Sequence, residues 1–401
     1  MAAMEPRERL VAFAEDVFDA FDRSSQRANG ALYLRGLIEQ GSRKSLQPTL
    51  FRLGESGARY ESMQQFVADS PWSADDLVRR VAERVAARLE VTCWVVDDTG
   101  FPKDGCRSPG VKRQYSGTLG KIGNCQIGVS LHAVGERGTL PVGWSLYLPR
   151  DWCDDPERRR RAKIPTDVAF RTKPQLALRL IRQAAEWDVP SGPVLADQAY
   201  GDDGAFRVGL DDERLSYVLA VNETASVYGP ETEFVVPERA GAIGRTPHLG
   251  KADRPACSLS TLARTLPDDA FETLVFAEAP DGTKRAGRFA CVRVYAAHEI
   301  LRRRRLPRAE WLIIEWPDSA DRPTDYWLSN LPAGTPPAEL ARLARLRWTI
   351  ELDYRQLKGE LGLDHYEGRS WAGWHHHTAL VTCAHAFLTE ERLNPKALRP
   401  A

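Results

Sequence analysis

No apolar run in the sequence approaches the roughly 20 residues that a membrane-spanning helix needs, so no membrane partner is expected. The stretch MAAMEPRERLVAFAEDVF carries charges throughout, which argues against a secretory signal. None of the seven cysteines (93, 106, 125, 153, 257, 291, 383) forms a CxxC pair. That argues against a structural zinc finger and a disulfide framework, and for free thiols in a reducing, bacterial cytoplasm. There is no GxSxG motif, and GTLGKIGN lacks the spacing of a phosphate-binding P-loop. Internal repeats and low-complexity tracts are also missing. An excess of charge of either sign is absent: 55 Lys and Arg balance 55 Asp and Glu, which counts against a nucleic-acid partner.

The distribution of charge counts the other way. Arg158 to Arg161 and Arg302 to Arg305 are runs of four arginines, and Arg342, Arg345 and Arg347 form a third basic stretch. One run is ordinarily a solvated face, but three near the motifs below point to a phosphate-binding surface. At 401 residues and 43% hydrophobic, the chain is long enough for more than one domain.

Residues 1–88 read as helical. LVAFAEDVFDAFD has apolar residues at helical spacing, and Ser73 caps SADDLVRRVAERVAARLE. This segment is either a DNA-binding domain or a helical cap on the core. VTCWVVDD then reads as a buried strand ending in acids, followed by a glycine-rich stretch. CQIGVSLHAV and LPVGWSLYLP read as strands joined at GERGT, KPQLALRLIRQAAEW as an amphipathic helix, and PVLADQAY and LSYVLAV as two more strands. Three strands, helix, strand, helix or turn, strand is the order of an RNase H-like α/β fold, a mixed sheet flanked by helices. The core would thus begin at 89–221, pass through a β-rich insertion at 222–333 and end in helices at 334–401. The last part opens with Thr335 as cap and Pro336 at the first position of one long helix.

Three acids stand out. Asp97-Asp98 and Asp197 end buried strands, and open α/β sheets place ligands at strand ends. Glu351 lies on the helix, and at 3.6 residues per turn Arg347, Glu351 and Lys358 share a face with Tyr354 beside them. The set suits a metal ligand between phosphate clamps, and equally an exposed ion-pair face. Carboxylates holding Mg²⁺ or Mn²⁺ can drive phosphodiester chemistry without a Ser/His/Asp triad. Lys112 and Arg113, with Gln114 and Tyr115, are candidates for DNA-backbone contact or simply a structured loop. The run His375 to His377 points in three directions from a helix, a poor zinc set, and is expected at the surface or facing DNA.

The stretches VVDDTGFPKDG, RQYSGTLGKIGNCQIGVSLHAV, LPVGWSLYLPRDW, VLADQAYGDD and RWTIELDYRQLKGELGLDHYEGRSWAGWHHH resemble the DDE transposases of bacterial insertion sequences. The resemblance is to the insertion-sequence seven-hundred-one family within the insertion-sequence-four group, and spans residues from about 10 to 390. It implies a cut-and-paste enzyme that binds terminal inverted repeats and joins them to target DNA in a synaptic homodimer, near the nucleoid. It implies Asp98, Asp197 and Glu351 as metal ligands, since an Asp-Thr pair carries the first acid in related enzymes. Asp97 is the alternative, because neighbours on a strand face opposite ways. Arg347, Glu351 and Lys358 fit the group's tyrosine-arginine-glutamate-lysine spacing. The tyrosine position is Ala344, a departure, with Tyr354 as a stand-in for phosphate contact. In related enzymes an aromatic of the insertion holds a flipped base; Trp311, Trp316 and Trp327 are the candidates here. A domesticated DNA-binding protein without catalysis and a stand-alone RNase H-like nuclease are the competing readings.

Overall fold

This computed structural model describes residues 4–235, 251–279, 281–297 and 308–394. The chain divides into two compact units, Met1–Gly192 with Thr349–Ala401, and Pro193–Trp348. The run Arg302 to Arg305 lies outside the described residues.

The first unit opens with five helices: α1 (Pro6–Phe18), α2 (Ser24–Ile38), α3 (Leu46–Arg52), α4 (Gly57–Ala68) and α5 (Ala74–Val85). On α5 the residues Leu77, Val78, Val81, Ala82 and Val85 make one buried stripe, the period that drives an amphipathic helix inward. The Ser73 hydroxyl accepts the Asp76 N–H at 3.1 Å and caps it. Ser73→Ala is expected to lower stability by about 1 kcal/mol; an unchanged urea midpoint would show that this cap contributes nothing.

Helices α1, α2, α4 and α5 pack on the last helix, α14 (Trp371–Leu393). It is apolar on all sides and correspondingly buried along most of its length. That corrects the expectation for the histidine run. His376 and His377 are buried, because a helix enclosed all round has no face left for solvent. The His376 ring nitrogens lie 2.8 Å from the carbonyls of Val67 and Trp72. In His377, Nδ1 meets the Tyr33 hydroxyl at 2.8 Å and Nε2 the Gly362 carbonyl at 3.0 Å.

Four strands form the sheet of this unit: β1 (Val91–Pro102), β2 (Lys112–Ser116), β3 (Lys121–Gly135) and β4 (Gly138–Leu146). β3 pairs antiparallel with β1 along one edge and with β4 and then β2 along the other. The expected turn between β3 and β4 is present at Glu136-Arg137. Two features differ from expectation. The strand carrying the acids does not end at them, since its ladder continues to Pro102 opposite Cys125. The glycine-rich stretch is largely a β2–β3 hairpin. After two short helices, α6 (Arg150–Cys153) and α7 (Pro156–Arg161), comes α8 (Lys173–Glu186), opened by a Thr172–Gln175 capping box. α8 packs on β3 and β4. Gly143 lets it approach, because a Cβ there would stand 3.0 Å from the Leu180 side chain.

In the second unit β5 (Val194–Ala196) runs parallel to β6 (Tyr217–Ala220), linked through α9 (Gln198–Gly201) and α10 (Gly204–Asp212). The expected β-rich stretch follows. β10 (Asp325–Ser329) pairs with β6, β9 (Glu310–Glu315) with β10, and β8 (Lys284–Ala296) with β9. Strand β7 (Glu272–Glu278), paired with β8, and helix α11 (Leu259–Thr265) also belong to it. Its core includes Leu259, Phe271, Val294, Leu312, Ile314 and Leu328. With the short hairpin strand β2 set aside, β1, β3 and β4, then α8, β5, α9 with α10, and the parallel strand β6 follow the order of an RNase H-like α/β fold.

The single long helix expected from Pro336 is two. α12 (Pro337–Leu346), with Pro336 itself in the cap position, stops before Arg347, and α13 (Thr349–Gly359) begins after Trp348.

Candidate active site

Strand β1 is the foundation of the site, and its two faces hold different company. Asp97 stands opposite Ser130 on β3 and Asp98 opposite Val129. Side chains directly opposite across a ladder share a face. The Ser130 hydroxyl lies 2.7 Å from the Tyr354 hydroxyl of α13, so α13 covers the Asp97 face. Gly128, opposite Thr99, lies on the same face beneath Trp374 of α14. The Asp98 carboxylate turns the other way. Both its oxygens accept from the Lys173 ammonium at the start of α8, at 2.9 and 3.0 Å. The two acids touch through the backbone, where the Asp98 N–H donates to Asp97 Oδ1 at 2.7 Å. Asp97 is buried and Asp98 half-buried.

α13 carries Glu351 exposed in its first turn, then Tyr354 and Lys358 at spacings of three and four, which keeps them on neighbouring positions of one face. Arg347 lies before the break and belongs to the second unit, so the four-residue face expected of one helix holds within α13 for the last three. Burial, and then the charge of Asp97, push the Tyr354 phenol well above its ordinary value. It therefore stays protonated and hydrogen-bonds Ser130. The Lys358 ammonium donates to the Gly100 carbonyl at 2.7 Å and the Thr118 hydroxyl at 2.9 Å. Burial lowers its pKa to about 8.

Behind Tyr354 runs a polar chain that the sequence reading missed. Ser130 lies 3.1 Å from His132 Nε2, His132 Nδ1 is 2.9 Å from Asp353, and Thr139 donates to the other Asp353 oxygen. Burial alone would raise the Asp353 pKa; the His132 hydrogen bond leads the effects that outweigh it and lower it. A usable signal was present. Ser130 and His132 are polar at a spacing of two inside an otherwise apolar strand, and such groups need partners.

The remaining candidates are scattered. Asp197 caps α9, accepting the Ala199 N–H at 3.0 Å. Lys112 and Arg113 are exposed on β2, with Lys112 3.1 Å from Asp151. Arg160 and Arg161 pair with Glu157 of the same helix, and Arg158 lies over the Trp152 ring at 3.8 Å. Arg342 pairs with Glu339, and Arg345 with Glu315. Trp327 is buried, and Trp316 bonds the Ala320 carbonyl and packs on Phe271. Trp311 is half-buried, with its indole N–H on the Pro332 carbonyl at 3.0 Å. Among the described residues no group of three or more His, Cys, Asp or Glu is gathered as a metal cage. The acids at hand are all hard oxygen donors, the chemistry that magnesium or manganese accepts.

A family model described as DDE superfamily endonuclease matches residues 16–285. The probable transposase for insertion sequence element IS701 of Microchaete diplosiphon is 30% identical over 164 residues, which is 40% of this chain and 40% of that protein. The match thus spans well under half of the relative's length. A solved piggyBac transposase synaptic complex with hairpin DNA aligns over 99% of this chain and 81% of its own, at 10% identity and a TM-score of 0.39.

Proposed function

The chain belongs to the DDE superfamily of endonucleases, and from that premise we propose that it is a cut-and-paste DNA transposase, binding terminal inverted repeats and joining them to target DNA. The observation that carries the reading furthest is the placement of α13, which bears Glu351, over the Asp97 face of β1. The superfamily uses divalent metal ions. Mg²⁺, with Mn²⁺ as substitute, is the cofactor proposed here, with Asp97, Asp197 and Glu351 as its carboxylates. When bound, such ions activate the attacking hydroxyl and stabilise the leaving oxygen of the phosphodiester.

The resemblance favours Asp98 as the first acid; the face occupied by α13 supports Asp97 instead. Asp98, tied to Lys173, then holds α8 to the sheet. Tyr354 is proposed as a positioning residue. Its hydroxyl, fixed through Ser130, His132 and Asp353, supports the ground beside Asp97. Lys358 braces the β2–β3 hairpin against β1, and of its three N–H donors one remains for a phosphate oxygen. Arg347, Lys112 and Arg113 are proposed phosphate contacts. The helices of 1–88 are proposed to bind DNA, with the core in 89–221 and 334–401, the β-rich insertion at 222–333, and a homodimer in the synaptic complex. A nucleoid-associated, cytoplasmic location goes with these partners. Among the described residues no helix is long and apolar enough to cross a membrane.

The test uses duplexes taken from the DNA flanking the gene, incubated with the full chain and Mg²⁺. The expected outcome is cleaved ends joined to target DNA, with no product in excess EDTA. Cleavage without joining would leave a nuclease, and binding without cleavage under Mg²⁺ or Mn²⁺ would leave a silent DNA-binding protein.

A further inference from the structure

Helices α1 and α2 flank a groove that is open to solvent and apolar along its middle. Leu10, Ala14, Ala31 and Leu32 line it, and Val11 beside them is 57% exposed. One exposed valine is ordinary, but one set in an apolar groove between two helices is a contact surface without its partner.

The two sides of the groove carry opposite charge. On the α1 side are Glu15 and Asp19, both exposed and neither in an ion pair among the described residues. On the other side are Arg27 and Arg35 of α2 and Arg59 of α4. Arg59 Nε is buried and has no hydrogen-bond partner among the described residues. A buried charged donor left in that state is costly until an acceptor reaches it. Residues 19–23 join α1 to α2, and so short a connection makes antiparallel neighbours. Glu15, Asp19 and Arg27 therefore lie at one end of the groove.

An occupant has to bring apolar side chains for the middle, acids for one side and cations for the other. A second copy of the same face brings all three. A two-fold axis along the groove exchanges its sides and keeps its ends, so Glu15 and Asp19 of each copy come to the arginine side of the other, with Arg27 nearest. An axis across the groove would set like charge on like. We propose that the α1–α2 groove is the face through which two copies of this chain pair, with Val11 entering the apolar middle. α1, at 13 residues, is about 20 Å long, so the face is small and the dimer is of micromolar strength. The purpose of the pairing rests on the transposase reading, in which two DNA ends must meet. The pairing itself is measured without DNA or cleavage, so either can fail while the other stands.

The experiment is sedimentation velocity of the full chain from about 1 to about 100 μM. It compares wild type, Val11→Asp, Glu15→Arg/Asp19→Arg and Arg27→Glu/Arg35→Glu. Wild type is expected to pass from monomer to dimer within that range. Val11→Asp is expected to weaken association about 100-fold, because each substitution occurs twice in a two-fold interface. Each charge-reversed variant is expected to stay monomeric alone, and an equal mixture of the two to regain the dimer. All of these side chains reach the surface, so each melt is expected within about 3 °C of wild type. Should a charge-reversed variant melt early, Val11→Asp decides alone. A wild type that stays monomeric up to about 100 μM, a dimer indifferent to Val11→Asp, or a mixture of folded reversed variants that stays monomeric overturns the proposal.

Discussion

Asp97→Asn is expected to slow strand cleavage about a thousandfold or more, as is Glu351→Gln, while Asp98→Asn slows it about tenfold at most. A carboxylate that binds a catalytic cation supports several kcal/mol of transition-state stabilisation, and each 1.4 kcal/mol or so is tenfold in rate. The assignment follows from the faces of β1. Asp97 looks toward α13, on which Glu351 sits, and Asp98 looks toward α8 and Lys173. Removing the Asp98 charge is a structural change first. Its partner is about one third exposed, so the expected loss is about 1 kcal/mol of stability. Single-turnover cleavage of flanking DNA in Mg²⁺ decides it. An inactive Asp98→Asn beside an active Asp97→Asn would reverse the choice and restore what the Asp-Thr pair implies.

Acid is expected to unfold the first unit near pH 4.5. His377 and His385 are buried in α14, and burial lowers each from 6.5 to about 4. In the unfolded chain both take up a proton as pH falls below 6.5; in the folded chain they do not until about 4. The unfolded state therefore binds more protons across that window, and stability falls with falling pH. Each histidine contributes at most about 1.4 kcal/mol per pH unit, so together about 3. Two pH units then remove about 5 kcal/mol, comparable with the whole stability of many domains. The measurement is the urea midpoint from pH 7.5 to 4.5, with His377→Gln reducing its slope. A midpoint flat down to pH 5 would show that these rings are solvated after all.

Much of the architecture was legible because it is local. The 3.6-residue stripe of α5 with its Ser73 cap, the amphipathic period of α8, the apolar runs of β3 to β6 and the turn at Glu136-Arg137 are each encoded within about a dozen residues. Asp197 at the end of β5 and Glu351 on a helix were readable for the same reason. What was hidden is non-local. Alternation says that Asp97 and Asp98 face opposite ways, but only the register with Ser130 and the identity of the helix above it say which faces what. The partner of Asp98 is 75 residues away, at Lys173. The histidine run was misjudged because three adjacent polar residues read as surface, whereas Val67, Trp72, Tyr33 and Gly362 supply partners from distant segments. The break at Arg347-Trp348 carries no glycine or proline to announce it.

The paired acids of β1 have one more consequence, for how the chain can go wrong. A slip of β1 by a single position against β3 would exchange the two faces of the strand. Asp98 would then turn toward Tyr354, and Asp97 toward Lys173. Both positions hold the same residue, so the misassembled sheet would keep an acid on each face while presenting the wrong backbone position beneath α13. Such a species would carry the same charges as the correct protein and, on the proposed reading of the site, be inert. Faithful alignment of that ladder is therefore a requirement for yield of active enzyme. The packing of Phe101 over Gly128 and edge-on to Trp374 discourages the slip, because a shifted β1 would turn that ring to the other face of the sheet.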